Sequence, residues 1–342
     1  MLKIAKERLN EVYAKIAQTQ GLFIPIKQAG EVDYRVWGEG KEVSLETLKT
    51  VKSPKSMFFP QTENMMKFQT KDNDLSVESM NFDKRDFVLF GVKACDYKAI
   101  EVLDKVFLAD PVDTFYQSRR EKTTIVTLAC SRPEESCFCK AFGIDATAPQ
   151  GDVTTWLDEK YLYWQANTEK GEALTETIKD FAENGGEAEV QAQQNLAREI
   201  IEKLPYSELD LSRFKPENLN ELFNDPAWEE MSEACLGCGT CTFVCPTCQC
   251  FDIRDFKTSD GILRYRCWDS CMYSDFTLMA HGNSRTTQMQ RFRQRFMHKL
   301  VYYPSQNDGL YSCVGCGRCV NKCPQKLNIV KVIKTLGGKK ND

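Results

Sequence analysis

The apolar positions along the first third of the chain follow two rhythms. Residues 86–92 (DFVLFGV) form an unbroken apolar run of strand length, the pattern of a strand buried on both faces. Residues 97–107 (YKAIEVLDKVF) space their apolar side chains for a helix. Residues 124–129 (TIVTLA) read as a second buried strand. That order predicts a parallel strand pair joined by a right-handed crossover. Residues 1–20 (MLKIAKERLNEVYAKIAQTQ) carry an amphipathic helix pattern. Further on, YLYW at 161–164 suits a strand, and a polar helix follows with apolar positions at Leu196, Ile200, Ile201 and Leu204. Gly185-Gly186 and the proline-containing segment 205–226 read as connections.

Composition adds bounds. With 342 residues the chain has room for two or three domains with cores of their own. A formal net charge of −4 argues against general binding to nucleic acid or an anionic membrane. No apolar run approaches the length of a membrane span. The N-terminal pattern lacks the apolar stretch and small-residue cleavage site of a signal peptide, so a cytoplasmic location is expected.

The sixteen cysteines change the picture most. None precedes Cys95. Four lie early (Cys95, Cys130, Cys137, Cys139), and the other twelve fall between Cys235 and Cys323. A reducing compartment keeps thiols free, so clustered cysteines there more often bind metal than form disulfides. With only two histidines, His281 and His298, mixed Cys/His zinc sites have little to work with.

Two runs carry the chemistry. Cys235-Leu-Gly-Cys238-Gly-Thr-Cys241-Thr-Phe-Val-Cys245-Pro246 and Cys313-Val-Gly-Cys316-Gly-Arg-Cys319-Val-Asn-Lys-Cys323-Pro324 both match the C-x2-C-x2-C-x3-C-P pattern of bacterial [4Fe–4S] ferredoxins. Three thiols at this spacing wrap one face of a cubane, and the glycines between them permit the tight turn. The fourth cysteine leaves the turn for the other cluster. Cys235, Cys238, Cys241 and Cys323 are therefore expected to hold one cluster, and Cys313, Cys316, Cys319 and Cys245 the other. Two zinc knuckles are the bland alternative, but they have no use for the third and fourth cysteines.

Cys95 and Cys130 follow the ends of the two buried strands, where open α/β sheets place their sites. With Cys137 and Cys139 they are expected to hold a third [4Fe–4S] cluster, the alternative being core or surface thiols. Cys248, Cys250, Cys267 and Cys271 lie between the two runs. They are candidates for a further metal site, with buried small hydrophobes or redox-sensing thiols as open alternatives. The basic stretch 285–299 (RTTQMQRFRQRFMHK) reads as a solvated helix face over Met289, Phe292, Phe296 and Leu300. Its functional alternatives are a docking face or an electrostatic tuner of cluster potential. No G-x-G-x-x-G or P-loop and no catalytic constellation is visible.

The expected fold class is α+β. An N-terminal α/β domain over 1–205 is followed by a helical ferredoxin-like two-cluster domain over 206–342 with a large insertion at 246–312. Several stretches resemble the iron–sulfur beta subunits of sulfhydrogenases and the corresponding iron–sulfur subunits of anaerobic sulfite reductases. They are Pro54-Lys55-Ser56-Met57-Phe58-Phe59-Pro60, Gly91-Val92-Lys93-Ala94-Cys95-Asp96, Ser136-Cys137-Phe138-Cys139, Cys245-Pro246-Thr247-Cys248-Gln249-Cys250 and Trp268-Asp269-Ser270-Cys271-Met272. Cys267 and the run Ala280-His281-Gly282-Asn283 depart from the family pattern. The resemblance implies an electron-transfer subunit of a cytoplasmic anaerobic oxidoreductase. Its partners would be a flavoprotein subunit binding FAD and NAD(P)H, or a ferredoxin-linked one, and a catalytic subunit of hydrogenase, sulfite reductase or heterodisulfide reductase type. The competing expectations are a reductase acting on a small substrate at the N-terminal cluster and, least, a redox-sensing regulator.

Overall fold

The computed structural model describes residues 1–71, 74–80 and 85–337. In chain order the N-terminal part comprises β1 (Leu2–Ala5), α1 (Leu9–Thr19), β2 (Gly21–Gln28), β3 (Glu31–Val36), β4 (Glu42–Val43), β5 (Thr62–Lys71), β6 (Asp74–Ser79), β7 (Phe87–Val92), α2 (Ala94–Phe107), α3 (Thr114–Lys122), β8 (Thr123–Leu128), β9 (Val153–Leu157), β10 (Tyr161–Ala166), α4 (Glu169–Ile178), β11 (Ala182–Asn184) and α5 (Glu187–Glu202). The first sheet runs β11-β1-β10-β9-β8-β7-β2-β3, with β4 added on β2. Its centre is parallel: β2 with β7, β7 with β8, and β8 with β9.

The apolar run of β7 works on both faces because successive side chains of a strand point opposite ways. Val88 and Phe90 pack with α1 and α4 through Tyr13, Ile16, Leu174 and Ile178. Leu89 faces α2 and α3 through Ile100, Leu103 and Tyr116. The expected strand–helix–strand unit at 86–129 is therefore present as a parallel pair.

Three expectations need correction. The helix read over 1–20 begins only at Leu9, because Leu2–Ala5 pairs with β10 on one side and β11 on the other. Ladder bonds on both edges, with Ile4 fully buried, outweigh local helix propensity. In α5 the buried stripe is Val190, Ala197 and Ile201, while Leu196 and Ile200 are 63% and 40% exposed. The segment 205–226 is also more than a connection. It contains α6 (Leu219–Phe223), whose Leu222 joins Phe214 in the C-terminal core.

That core gathers α7 (Ala227–Ser232), α8 (Thr240–Phe243), α9 (Gln288–Met297), α10 (Tyr303–Gln306), α11 (Arg318–Lys322) and α12 (Ile329–Leu336). Trp228 of α7 stacks on Phe296 of α9 at 6.4 Å between ring centroids. A π-helical turn at His298–Tyr302 follows α9 and turns Lys299 into the interior.

The insertion supplies β12 (Phe251–Thr258) and β13 (Gly261–Trp268), and these complete a second, antiparallel sheet in the order β12-β13-β5-β6. This sheet joins segments from both sides of the boundary expected at 205/206. A buried ion network fastens it to the body. Arg266 of β13 pairs with Glu63 of β5 and with Asp113, which also caps α3, and Arg119 donates to Glu63 at 2.6 Å. Tyr303 adds a bond from its hydroxyl to the Val102 carbonyl at 2.8 Å, tying the C-terminal helices to α2.

Candidate metal centre

In the first motif Gly237 and Gly239 sit at φ +63° and +70°, a left-handed conformation that L side chains rarely adopt. These kinks turn Cys235, Cys238 and Cys241 around one cavity, and Cys323 from the second motif closes it. Gln288 Nε2 donates to the Cys235 sulfur at 3.5 Å, and the Leu327 amide donates to the Cys323 sulfur at 3.3 Å. Amides aimed at ligand sulfurs are the usual outer contacts of a thiolate-bound cluster.

The second motif repeats the geometry with Gly315 and Gly317 at φ +59° and +76°. Cys313, Cys316 and Cys319 line a second cavity, which Cys245 of the first motif completes. Each fourth cysteine therefore lies at the cavity lined by the first three cysteines of the other motif.

The charges around these cavities test what the thiols can hold. Arg295, Lys299 and Lys55 are each at most 3% exposed. Among the described residues their opposite charges are thiols: Cys241, Cys319, Cys248 and Cys245 for Arg295, Cys245, Cys248 and Cys313 for Lys299, and Cys248, Cys245 and Cys250 for Lys55. A buried cation without a countercharge costs several kcal/mol. A [4Fe–4S] core together with its four thiolate ligands is net negative and supplies that countercharge, so the residues present fit the group. Burial pushes the Cys316 thiol up to about 12, which leaves it protonated until metal displaces the proton. Among the described residues no three Cys, His, Asp or Glu side chains gather on one ion position. The thiols are spread around cavities instead.

The early cysteines also converge. Cys130, Cys137 and Cys139 are buried near one another, and Cys95 packs with Cys130 and Cys139 on one side and Cys316 on the other. Lys93 is buried beside Cys130 and Cys95. Lys49 faces Cys137 and pairs with Glu134 at 2.8 Å. This set abuts the second motif. The Phe138 amide, between Cys137 and Cys139, donates to the Gly315 carbonyl at 2.8 Å.

The insertion cysteines divide. The Cys250 and Cys271 thiols lie within hydrogen-bond reach of each other, as do those of Cys248 and Cys245. Cys267 stands apart on β13, opposite Asp252 and Thr62, with Arg254 and the carboxylates of Asp252 and Asp269 around it. The four-cysteine set expected here does not assemble, because the strand alternation of β13 turns Cys267 away from the others.

Several residues of the site escape a reading by spacing. Lys55 reaches from the Pro54–Met57 turn to donate to the carbonyls of Cys245 and Cys248 at 2.9 and 2.8 Å, with its Nζ 4.0 Å from the Trp268 ring centroid. Burial depresses the Lys55 ammonium to about 8, against the pull of the thiols. Trp268 Nε1 donates to the Phe59 carbonyl at 3.1 Å, and Thr242 Oγ1 donates to Ser270 Oγ at 2.8 Å. The basic stretch 285–299 is not simply a solvated face, since Arg295 and Lys299 point inward. Alternation of charge with Phe292 and Phe296 was the one signal that could have placed Arg295 at the core.

Residues 234–327 match the family model described as a 4Fe-4S dicluster domain. The whole chain is similar to the sulfhydrogenase 2 subunit beta of Pyrococcus furiosus, with 30% identity over 346 residues that cover 97% of each chain. No solved structure matches. Among the described residues no helix is long and apolar enough to cross a membrane.

Proposed function

This chain belongs to the family of sulfhydrogenase iron–sulfur beta subunits, and from that premise we propose that it relays electrons inside a multisubunit oxidoreductase. One end of the relay is a subunit binding flavin and NAD(P)H, or a ferredoxin-linked one. The other is a catalytic subunit of hydrogenase type.

Cys235, Cys238, Cys241 and Cys323 hold one [4Fe–4S] cluster, and Cys245, Cys313, Cys316 and Cys319 hold a second. Cys95, Cys130, Cys137 and Cys139 hold a third. When bound, such clusters supply one-electron redox chemistry. The chain's own residues fix the ligand turns, exclude water and provide buried positive charge. The observation that carries the reading is the Phe138–Gly315 hydrogen bond, which makes the early thiols and the second motif one continuous assembly. Burial of Cys130, Cys137 and Cys139 favours a relay over reduction of a substrate at that site. Cys248, Cys250 and Cys271 form a smaller thiol group beside Cys245, and iron beyond three clusters' worth would assign metal to it.

The test is metal analysis of anaerobically purified chain. Iron and acid-labile sulfide for three clusters, with EPR signals of reduced [4Fe–4S] centres, is the expected result. Stoichiometric zinc without sulfide would overturn the proposal, and iron for two clusters would remove the third. Co-purification from the native host is expected to bring down a flavoprotein together with a catalytic partner.

A further inference from the structure

Arg295 lines both cavities of the dicluster domain. It is 2% exposed. Its Nη2 makes one long bond to the Cys241 carbonyl at 3.5 Å, while Nε and Nη1 have no partner among the described residues. A guanidinium carries five N–H donors and keeps its proton in proteins. Unused donors buried between two sets of thiols therefore point to anionic sulfur acceptors on either side. The thiols that act on its charge come from both sets: Cys241 of the first, Cys319 and Cys245 of the second.

Helix α9 holds the group in place. The Arg295 guanidinium lies 4.4 Å from the centroid of Phe296, which is itself clamped by Trp228. Lys299, one turn on, faces Cys245 and Cys313 of the second set. The two cations thus divide the work: Lys299 serves one centre, and Arg295 stands between both.

Building on the assignment of two clusters to these eight cysteines, we propose that Arg295 is a shared potential-setting residue that donates N–H bonds to sulfur at both centres and raises their reduction potentials together. The reason is electrostatic. Reduction adds one negative charge to a centre, and a fixed cation in a low-dielectric interior stabilises the more negative state. One cation lining both cavities poises the two centres as a pair.

The experiment is an EPR-monitored redox titration of the full chain, with iron and sulfide measured on each preparation. Arg295→Gln is expected to lower the midpoint potentials of both dicluster centres. Arg295→Lys keeps the charge but loses the planar fork, so its potentials should lie between those of wild type and Arg295→Gln. Arg293→Gln removes the same charge from the same helix at a site where the guanidinium packs on Phe223, and both potentials should stay in place. Full metal content with only one potential moved, or neither, overturns the proposal. Should Arg295→Gln fail to assemble its clusters, Arg295→Lys decides: a downward shift supports the proposal and unchanged potentials refute it. A wild-type chain lacking iron for two clusters would refute the underlying assignment instead, before any potential is read.

Discussion

Arg318 grips Asp96 with two parallel hydrogen bonds, Nη1 to Oδ1 at 2.6 Å and Nη2 to Oδ2 at 2.8 Å, and both side chains are buried. Each stands beside a cysteine, Asp96 next to Cys95 and Arg318 next to Cys319. The fork-to-carboxylate geometry fixes orientation as well as distance, so it locks the early thiol set against the second motif.

Asp96→Asn should expose how much depends on that lock. It keeps the shape but leaves the buried guanidinium without its countercharge, a change that costs about 3–5 kcal/mol. Anaerobic denaturant unfolding of the holoprotein should show the loss. Unfolding midpoints equal to wild type would mean the pair is energetically idle.

Two glycines should respond differently to alanine. A Cβ at Gly315 would collide with the Phe138 carbonyl carbon and oxygen, backbone atoms that cannot step aside. A Cβ at Gly237 meets first the flexible end of Gln288 at 2.9 Å. Both positions carry the strain of a left-handed φ. Gly315→Ala should therefore lose iron from the second and third centres, whereas Gly237→Ala should retain more of its metal. Equal iron contents for the two variants would contradict the close approach.

The cysteines themselves give a paired test. Cys139→Ser is expected to cost one cluster's worth of iron and its EPR signal, leaving the dicluster spectrum. Cys267→Ser should match wild type in iron, sulfide and spectrum, because its thiol faces Asp252 and Arg254 rather than the other cysteines. Iron lost from the Cys267 variant would restore the four-cysteine site that the strand alternation rules out.

His298 should make stability depend on pH. Burial, with Lys299 and Arg285 nearby, lowers its pKa from 6.5 to about 4. Between those values the unfolded chain binds a proton that the folded chain refuses. The stability involved is fully present above pH 6.5 and drains away as the pH falls toward 4. Melting temperatures at pH 7.5 and 5 should differ less for His298→Gln than for wild type. An unchanged difference would assign the acid sensitivity to other groups.

Features set by short-range geometry were legible in the chain before any fold was known. Ligand turns are local: three cysteines two residues apart with glycines between them dictate a cradle, whatever surrounds it. The parallel β7–α2–β8 unit was legible for the same reason, since strand and helix periods are written in consecutive residues. Which distant groups meet was settled by packing. Lys55 and Cys245 are 190 positions apart, and Asp96 and Arg318 are 222 apart. No periodicity spans such distances, and a lysine or arginine in the sequence looks the same whether water or a thiolate will surround it. The convergence of Cys95, Cys130, Cys137 and Cys139, the exclusion of Cys267 and the inward turn of Arg295 all depend on how sheets and helices pack. Packing is fixed by the whole core at once, and no single segment carries it.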